Sequence, residues 1–131
     1  MPAGTFAVST SKTMQFSDIT AQVQKAVATC GIADGVCHVY NPHTTAGLTI
    51  NEGADPAVQT DILAALQKIV PMNHAYQHLE GNSPAHVMAS LVGSSVTIFI
   101  ENGCLLLGTW QKIFFCEFDG PRSRKVFWRV V

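Results

Sequence analysis

Two histidines, His78 and His86, lie in a stretch that begins as a polar loop and continues as a short helix. Ser83 is a good N-cap, Pro84 suits the first helical position, and Gly93 can end the helix. His86 is therefore predicted in the first turn, where unpaired backbone N–H groups and the helix dipole favour a phosphate. An imidazole there could also bind a metal ion. From spacing alone, surface or capping histidines are the simpler alternative.

A second polar cluster, His43-Thr44-Thr45, precedes a predicted strand that ends in Asn51-Glu52. One imidazole and two hydroxyls in consecutive positions can donate hydrogen bonds to a phosphate or orient a metal ligand. Glu52 could act as a general base or as a metal ligand. The alternatives are the ordinary threonine-rich start of a strand and a solvated carboxylate.

The C-terminal third of the chain adds an indole, an amide and several cations. Gly108 permits the close approach of a ligand or of backbone, while Trp110 and Gln111 offer a flat surface and hydrogen-bonding groups. A β-bulge with a core tryptophan is the alternative. Four of the eight basic residues lie in the last ten positions, where they form either an anion clamp or a solvated strand end: Arg122, Arg124, Lys125 and Arg129.

The elements that must position these residues follow an α+β pattern with mainly antiparallel strands. A helix capped by Asp18 or Thr20 is expected to end at Gly31. Asp55-Pro56 opens a second helix, whose amphipathic face predicts core packing. Strands are predicted at Thr5–Thr10, Val36–Tyr40, Ser95–Glu101 and Lys125–Val131, and in the segment that ends at Glu52.

Two hairpins are also predicted. Met14–Phe16 is expected to pair with the first strand. Asn102-Gly103 is a strong signal for a tight turn, because both central positions of such a turn favour positive φ. The return strand Cys104–Glu117 is apolar on both faces for much of its length, which indicates a central strand that is covered on both sides.

Composition limits the classes of function. The chain has 131 residues, which predicts a single domain over residues 1–131. It is 47% hydrophobic and 13% charged without a membrane-length apolar run, so we expect apolar surface buried between subunits or a well-filled core. A net charge of −1 argues against nucleic acid as a partner. The four cysteines form no C-x-x-C pair and no secretory signal opens the chain, which predicts buried free thiols in the cytoplasm.

A set of short motifs occurs along the chain in one order: His43-Thr44-Thr45-Ala46, Asn51-Glu52, His78, Gly81-Asn82, Ala85-His86, Asn102-Gly103, Leu107-Gly108-Thr109-Trp110-Gln111 and Asp119-Gly120-Pro121-Arg122-x-Arg124. Taken in this order, the motifs closely resemble the YjbQ family, also called the UPF0047 or secondary thiamine-phosphate synthase family. The resemblance covers nearly the whole chain. Glu80 stands where the family often has aspartate before Gly-Asn, which keeps the carboxylate and lengthens its reach.

The resemblance implies a mainly antiparallel two-sheet β-sandwich with flanking helices, assembled as a homotrimer. It also implies a polar pocket for a small phosphorylated substrate and a divalent metal ion, either Zn or Mg. The implied metal ligands are His43, His78 and His86. The implied catalytic residues are His78, His86, Glu52 and Asn82, and the implied substrate-binding residues are His43, Thr44, Thr45, Asn51, Trp110, Gln111, Arg122 and Arg124.

The activity that the resemblance implies is thiamine-phosphate synthesis, as a secondary activity. Hydroxymethylpyrimidine diphosphate would be joined to a thiazole phosphate, and pyrophosphate would be released. Two alternatives from other classes stay open. One is a metal-assisted hydrolase of a phosphorylated metabolite with Glu52 as base, and the other is a ligand-binding module without chemistry.

Overall fold

The computed structural model describes residues 2–131, and within them the chain forms eight strands and three helices. The predicted α+β fold is confirmed. The helices are α1 (Thr20–Cys30), α2 (Pro56–Ile69) and α3 (Ser83–Val92). The strands are β1 (Ala3–Ser9), β2 (Gln15–Asp18), β3 (Gly35–Tyr40), β4 (Ala46–Glu52), β5 (Ser95–Glu101), β6 (Cys104–Leu105), β7 (Gln111–Glu117) and β8 (Ser123–Val130).

The strands form two antiparallel sheets. One has five strands in the order β1-β8-β3-β5-β6, and the other has three in the order β2-β7-β4. The main core fills the space between the sheets, where Leu48 and Phe115 of the smaller sheet meet Val39 and Val126 of the larger one. A second core packs the opposite face of the smaller sheet, including Phe114, against α3.

Local signals located several elements correctly. The side chain of Asp55 caps α2 by accepting a hydrogen bond of 2.9 Å from the backbone N–H of Ala57. Asn102 and Gly103 have positive φ and form the turn between β5 and β6. Gly31 ends α1 in the left-handed conformation, but the N-cap is Ile19, not Asp18 or Thr20.

Strand pairing departs from the prediction in two places. β2 does not form a hairpin with β1, because it pairs with β7 in the other sheet. The predicted return strand divides, so that β6 ends at Leu105 and β7 begins at Gln111 in the smaller sheet. Gly108 therefore lies in the connecting turn and is not a bulge. β7 is central and buried on both faces over its second half, as its apolar pattern predicted.

Two packing predictions need correction. No residue of α2 is buried, because the helix lies at the periphery with only Leu63 and Leu66 packed in part against the second core. All four cysteines are free, but Cys104 is exposed. Burial, together with nearby Cys30, raises the pKa of the Cys37 thiol to about 11. No helix among the described residues is long and apolar enough to cross a membrane.

Candidate functional site

A polar cavity of about 430 Å³ lies at the end of the smaller sheet where β4 begins and β7 ends. It brings together residues from four separate parts of the chain. Most of the side chains predicted for the site line it: His43, Thr44, Thr45, His78, Asn82, His86, Arg122 and Arg124. Pro42, Glu80 and Asp119 complete its walls.

Asn41 shapes the loop that carries His43, Thr44 and Thr45. Its buried side chain donates a hydrogen bond of 2.7 Å from Nδ2 to the carbonyl of Ala46, and its Oδ1 accepts one of 3.0 Å from the backbone N–H of His43. Because both ends of the loop are bonded to one amide, the three polar residues between them are held in place.

The helix α3 positions His86 through a close contact at its other end. A Cβ on Gly47 would lie 2.9 Å from the carbonyl oxygen of Gly93, so only glycine allows α3 to approach β4 this closely. The helix begins at Ser83 after an Asn82 cap, one residue earlier than predicted. The N–H groups of Ala85 and His86 donate to the Asn82 carbonyl and are not free for a phosphate.

His78 reaches the same cavity from the loop before α3. Its ring centroid lies 5.3 Å from that of His86, with the two ring planes nearly perpendicular. His78 Nε2 also lies 3.9 Å from Glu80 Oε2, and both of these side chains are substantially exposed. The two imidazoles therefore form an adjacent pair that solvent and small molecules can reach.

Arg124 is held from behind by a buried carboxylate. Glu117 is fully buried, and its Oε1 accepts hydrogen bonds of 2.8 Å from Arg124 Nε and from Thr10 Oγ1. Arg124 Nη2 donates to Glu117 Oε2 and, at 2.9 Å, to Thr45 Oγ1. Burial alone would raise the pKa of Glu117, but the hydrogen bonds from Arg124 and Thr10 outweigh it and hold that pKa below its usual value.

A second ion pair forms the opposite wall. Arg122 Nη2 and Asn82 Nδ2 each donate a hydrogen bond of 3.0 Å to Oδ2 of Asp119. Burial would raise the pKa of Asp119, but these two donors outweigh it and keep the pKa below its usual value. Both arginines predicted as a phosphate clamp thus already have a carboxylate partner.

His43 lines the cavity, and its ring is held in one tautomer by the backbone. Its Nε2 accepts a hydrogen bond of 2.8 Å from the backbone N–H of Lys125, so in the neutral ring the proton lies on Nδ1. Burial and, to a smaller extent, the charge of Arg124 lower the pKa of His43 from its ordinary value of 6.5. The neutral form is therefore favoured at pH 7.

A three-histidine metal centre does not fit this arrangement. The lone pair on Nε2 of His43 is engaged by Lys125, and Nδ1 carries the proton, so neither nitrogen is available as a ligand. Among residues 2–131, no group of three or more histidine, cysteine, aspartate or glutamate side chains could hold a metal ion. The metal requirement itself stays a prediction.

Four predicted site residues lie elsewhere in the chain: Asn51, Glu52, Trp110 and Gln111. In the β4–β7 ladder, Glu52 pairs with Gln111 at one end and Ala46 pairs with Glu117 at the other. The six residue steps from Ala46 to Glu52 place the two ends roughly 20 Å apart. Trp110 is 63% exposed at the far end, and the Gln111 side chain accepts a hydrogen bond from the Gly108 N–H.

Sequence reasoning missed three positioning residues, Thr10, Asn41 and Glu117. A signal existed for Glu117, because it is a carboxylate inside the otherwise apolar run Ile113–Phe118. A charged residue on a strand covered on both faces requires a buried partner. Asn41 also carried a local signal, because an asparagine before proline favours a turn in which its side chain bonds the backbone two residues on. No local signal marks Thr10, whose partner Glu117 is 107 positions away.

Comparison with known proteins gives a consistent result. Residues 4–131 match the family described as UPF0047 protein YjbQ-like. The UPF0047 protein of Methanocaldococcus jannaschii is 48% identical over 126 residues, which are 96% of this chain and 91% of that protein. The UPF0047 protein YugU of Bacillus subtilis is 45% identical over 128 residues, which are 97% of each chain.

Solved structures show the same fold. The crystal structure of an uncharacterised YjbQ/UPF0047-family protein from Clostridium acetobutylicum aligns with a TM-score of 0.95 at 57% identity, over 97% of this chain and 98% of that one. A hypothetical protein from Aeropyrum pernix aligns with a TM-score of 0.94 at 36% identity, over 100% and 98% of the two chains. These relatives extend the fold across bacteria and archaea and carry no assigned activity in their names.

Proposed function

The chain belongs to the UPF0047 family of YjbQ-like proteins, and from that premise we propose that it is an enzyme acting on a small phosphorylated substrate. The observation that carries the proposal is the cavity itself. It joins the adjacent imidazoles of His78 and His86 to the guanidinium of Arg124 and the N–H donor of His43. Anion-binding groups beside a pair of acid–base groups are the parts that phosphate-ester chemistry requires.

The anionic group of the substrate would bind on the His43 side of the cavity. Arg124 uses Nε and Nη2 for Glu117 and Thr45, which leaves Nη1 to point a fixed guanidinium edge toward a phosphate oxygen. His43 Nδ1–H and the hydroxyl of Thr44 supply further donors. Because Glu117 holds Arg124 rigidly, little conformational entropy is lost when the phosphate binds.

The reaction we propose first is thiamine-phosphate synthesis as a secondary activity. The thiazole nitrogen would form the new C–N bond to the pyrimidine methylene carbon, and the C–O bond to the diphosphate would break. His86 or His78 would donate a proton to the leaving diphosphate oxygen.

The test is a direct assay of the full-length protein. Hydroxymethylpyrimidine diphosphate and thiazole phosphate are incubated with Mg²⁺, with or without Zn²⁺, and thiamine phosphate is followed by mass spectrometry. His86→Ala should abolish product formation. His74→Ala is the matched control, since His74 is an exposed histidine outside this cavity. No product from the unmodified protein, under conditions where a known synthase works, would reject the synthase assignment.

Hydrolysis of a phosphorylated metabolite is the second candidate. The side chains of His78 and Glu80 are 45% and 74% exposed, so water reaches the imidazole pair. Glu52 lies at the far end of the sheet, and the base in this mechanism would therefore be an imidazole. Release of phosphate from a single substrate without an acceptor would support hydrolysis. Tight binding without turnover would instead indicate a ligand-binding module.

We also propose that the protein is a cytoplasmic homotrimer. The outer face of the five-stranded sheet exposes large apolar side chains, among them Tyr40, Phe99 and Phe127. Tyr40 and Phe127 stack with ring centroids 6.5 Å apart beside an apolar groove of about 680 Å³. An exposed apolar face of this kind is typical of a subunit interface.

A further inference from the structure

Both arginines of the cavity are paired with a carboxylate before any ligand binds, and Glu80 adds a further negative charge to the wall. Arg124 is paired with Glu117, and Arg122 is paired with Asp119 at 3.0 Å. A site built for a purely anionic ligand would present unpaired cations. Here a ligand with negative charge alone would gain from Arg124 on one wall and be repelled by Asp119 on the other.

Asp119 presents an unused acceptor to the cavity. Its Oδ2 is bonded to Asn82 and Arg122, while Oδ1 has no donor among the described residues. The side chain is about one-quarter exposed and lines the cavity, so Oδ1 is open to a ligand. An ionised carboxylate oxygen in this position suits an ammonium or another N–H donor.

Asn82 adds a second unmet acceptor beside it. Its Nδ2 donates to Asp119, which fixes the orientation of the amide because a carboxylate cannot donate in return. Its Oδ1 is then left buried and without any hydrogen-bond partner. Leaving a buried acceptor unpaired costs free energy. A ligand N–H group that reaches Asn82 Oδ1, once the neighbouring side chains shift, would therefore bind favourably.

We propose that the substrate carries a protonated amino group as well as its phosphate. The phosphate binds at Arg124 and His43, and the amino group binds at Asp119 Oδ1 with Asn82 Oδ1 beside it. This inference rests on the proposed phosphate site and on the second candidate function, hydrolysis of a phosphorylated metabolite, because neither hydroxymethylpyrimidine diphosphate nor a thiazole phosphate carries an ammonium group. It narrows the substrate class to small amino-bearing phosphate esters, and it makes Asp119 the residue that selects them.

Two isosteric probes test the proposal. O-phosphoethanolamine and propyl phosphate differ by an ammonium in place of a methyl group. We expect the full-length protein at pH 7.5 to bind O-phosphoethanolamine about tenfold more tightly by calorimetry, the size expected for a hydrogen bond to a charged group. Equal affinities, or tighter binding of propyl phosphate, would overturn the proposal and leave the phosphate site standing.

Substitutions locate the selectivity. Asp119→Asn should bring the ratio of the affinities for O-phosphoethanolamine and propyl phosphate close to one. The affinity for propyl phosphate itself should stay the same or rise, because Arg122 loses its anionic partner. Asp61→Asn removes the same charge from the exposed surface of α2 and should keep the tenfold ratio. Retention of the ratio in Asp119→Asn would show that Asp119 is not the selecting residue.

A second variant covers the case in which Asp119→Asn does not fold. Asn82→Ala keeps the carboxylate but removes the whole amide, that is, both the unpaired oxygen and the Nδ2–H that holds Asp119 Oδ2, so it should reduce the ratio without abolishing it. An unchanged ratio would exclude Asn82 from recognition of the amino group. Failure of both phosphates to bind the unmodified protein would remove the phosphate site, and with it both this inference and the proposed function.

Discussion

Replacing Glu117 with glutamine should lower the free energy of unfolding by about 3–5 kcal/mol, the range expected when one partner of a buried ion pair is removed. The carboxylate has no exposed surface and accepts four hydrogen bonds. A glutamine amide can keep its oxygen toward Thr10 Oγ1 and Arg124 Nε. Its NH₂ group then faces two donors, Arg124 Nη2 and the Asp119 N–H, so two hydrogen bonds are lost.

The lost bonds account for much of that cost. Each unsatisfied buried donor costs about 1–3 kcal/mol, and the buried guanidinium of Arg124 also loses its counter-charge. The double variant Glu117→Gln/Arg124→Met removes that charge together with its partner. Its destabilisation should therefore be smaller than the sum of the single variants, by about 1–3 kcal/mol.

Urea unfolding monitored by far-ultraviolet circular dichroism measures these free energies. All variants must be compared at one protomer concentration, because assembly would make the apparent stability depend on concentration. A loss below about 1 kcal/mol for Glu117→Gln would refute the assigned role of the carboxylate. Additive effects in the double variant would refute the coupling between Glu117 and Arg124.

Three further predictions concern other parts of the site and its surroundings. Gly120→Ala should lower the unfolding temperature by several degrees, because its Cβ would lie 2.3 Å from the Lys12 carbonyl oxygen. Gly108→Ala, whose Cβ would lie 3.3 Å from the end of a flexible glutamine side chain, should change it little in the same calorimetric scan. The pKa of His43, followed by NMR over a pH series, should lie below 6.5. The contribution of His43 to folding stability is then fully present above pH 6.5 and is lost as the pH falls through this folded-state pKa. A titration midpoint at or above 6.5 would contradict the assigned environment. Phe127→Ser should shift the protein to smaller species in light scattering, whereas an unchanged mass would place the interface elsewhere.

Elements with short-range signals could be predicted from the sequence. The Asp55 cap depends on contacts within a few residues, and so does the turn at Asn102-Gly103. The partner of β2 could not be predicted, because β2 pairs with a strand about a hundred positions away and its four residues suit either sheet. The division of the return strand was missed for a related reason: β6 and β7 are both apolar but belong to different sheets.

The cavity was easier to predict than the contacts that hold it. Polar side chains such as His43, His78 and Arg124 are conspicuous in an apolar chain, and most of the predicted set does line one cavity. Trp110 is equally conspicuous but lies at the other end of the sheet. Residue type indicates which side chains can bind a ligand, whereas strand register decides which of them meet.

The pair formed by Glu117 and Arg124 joins β7 of one sheet to β8 of the other, and the same arginine faces the cavity. The protein therefore has no clean boundary between residues that maintain the fold and residues that serve the ligand. In a mutational scan scored only by growth or catalytic output, substitutions of Glu117 and Gly120 would look as damaging as substitutions of His86. Scoring cellular abundance in parallel would separate them, since His86 variants should persist at normal levels while the other two are degraded.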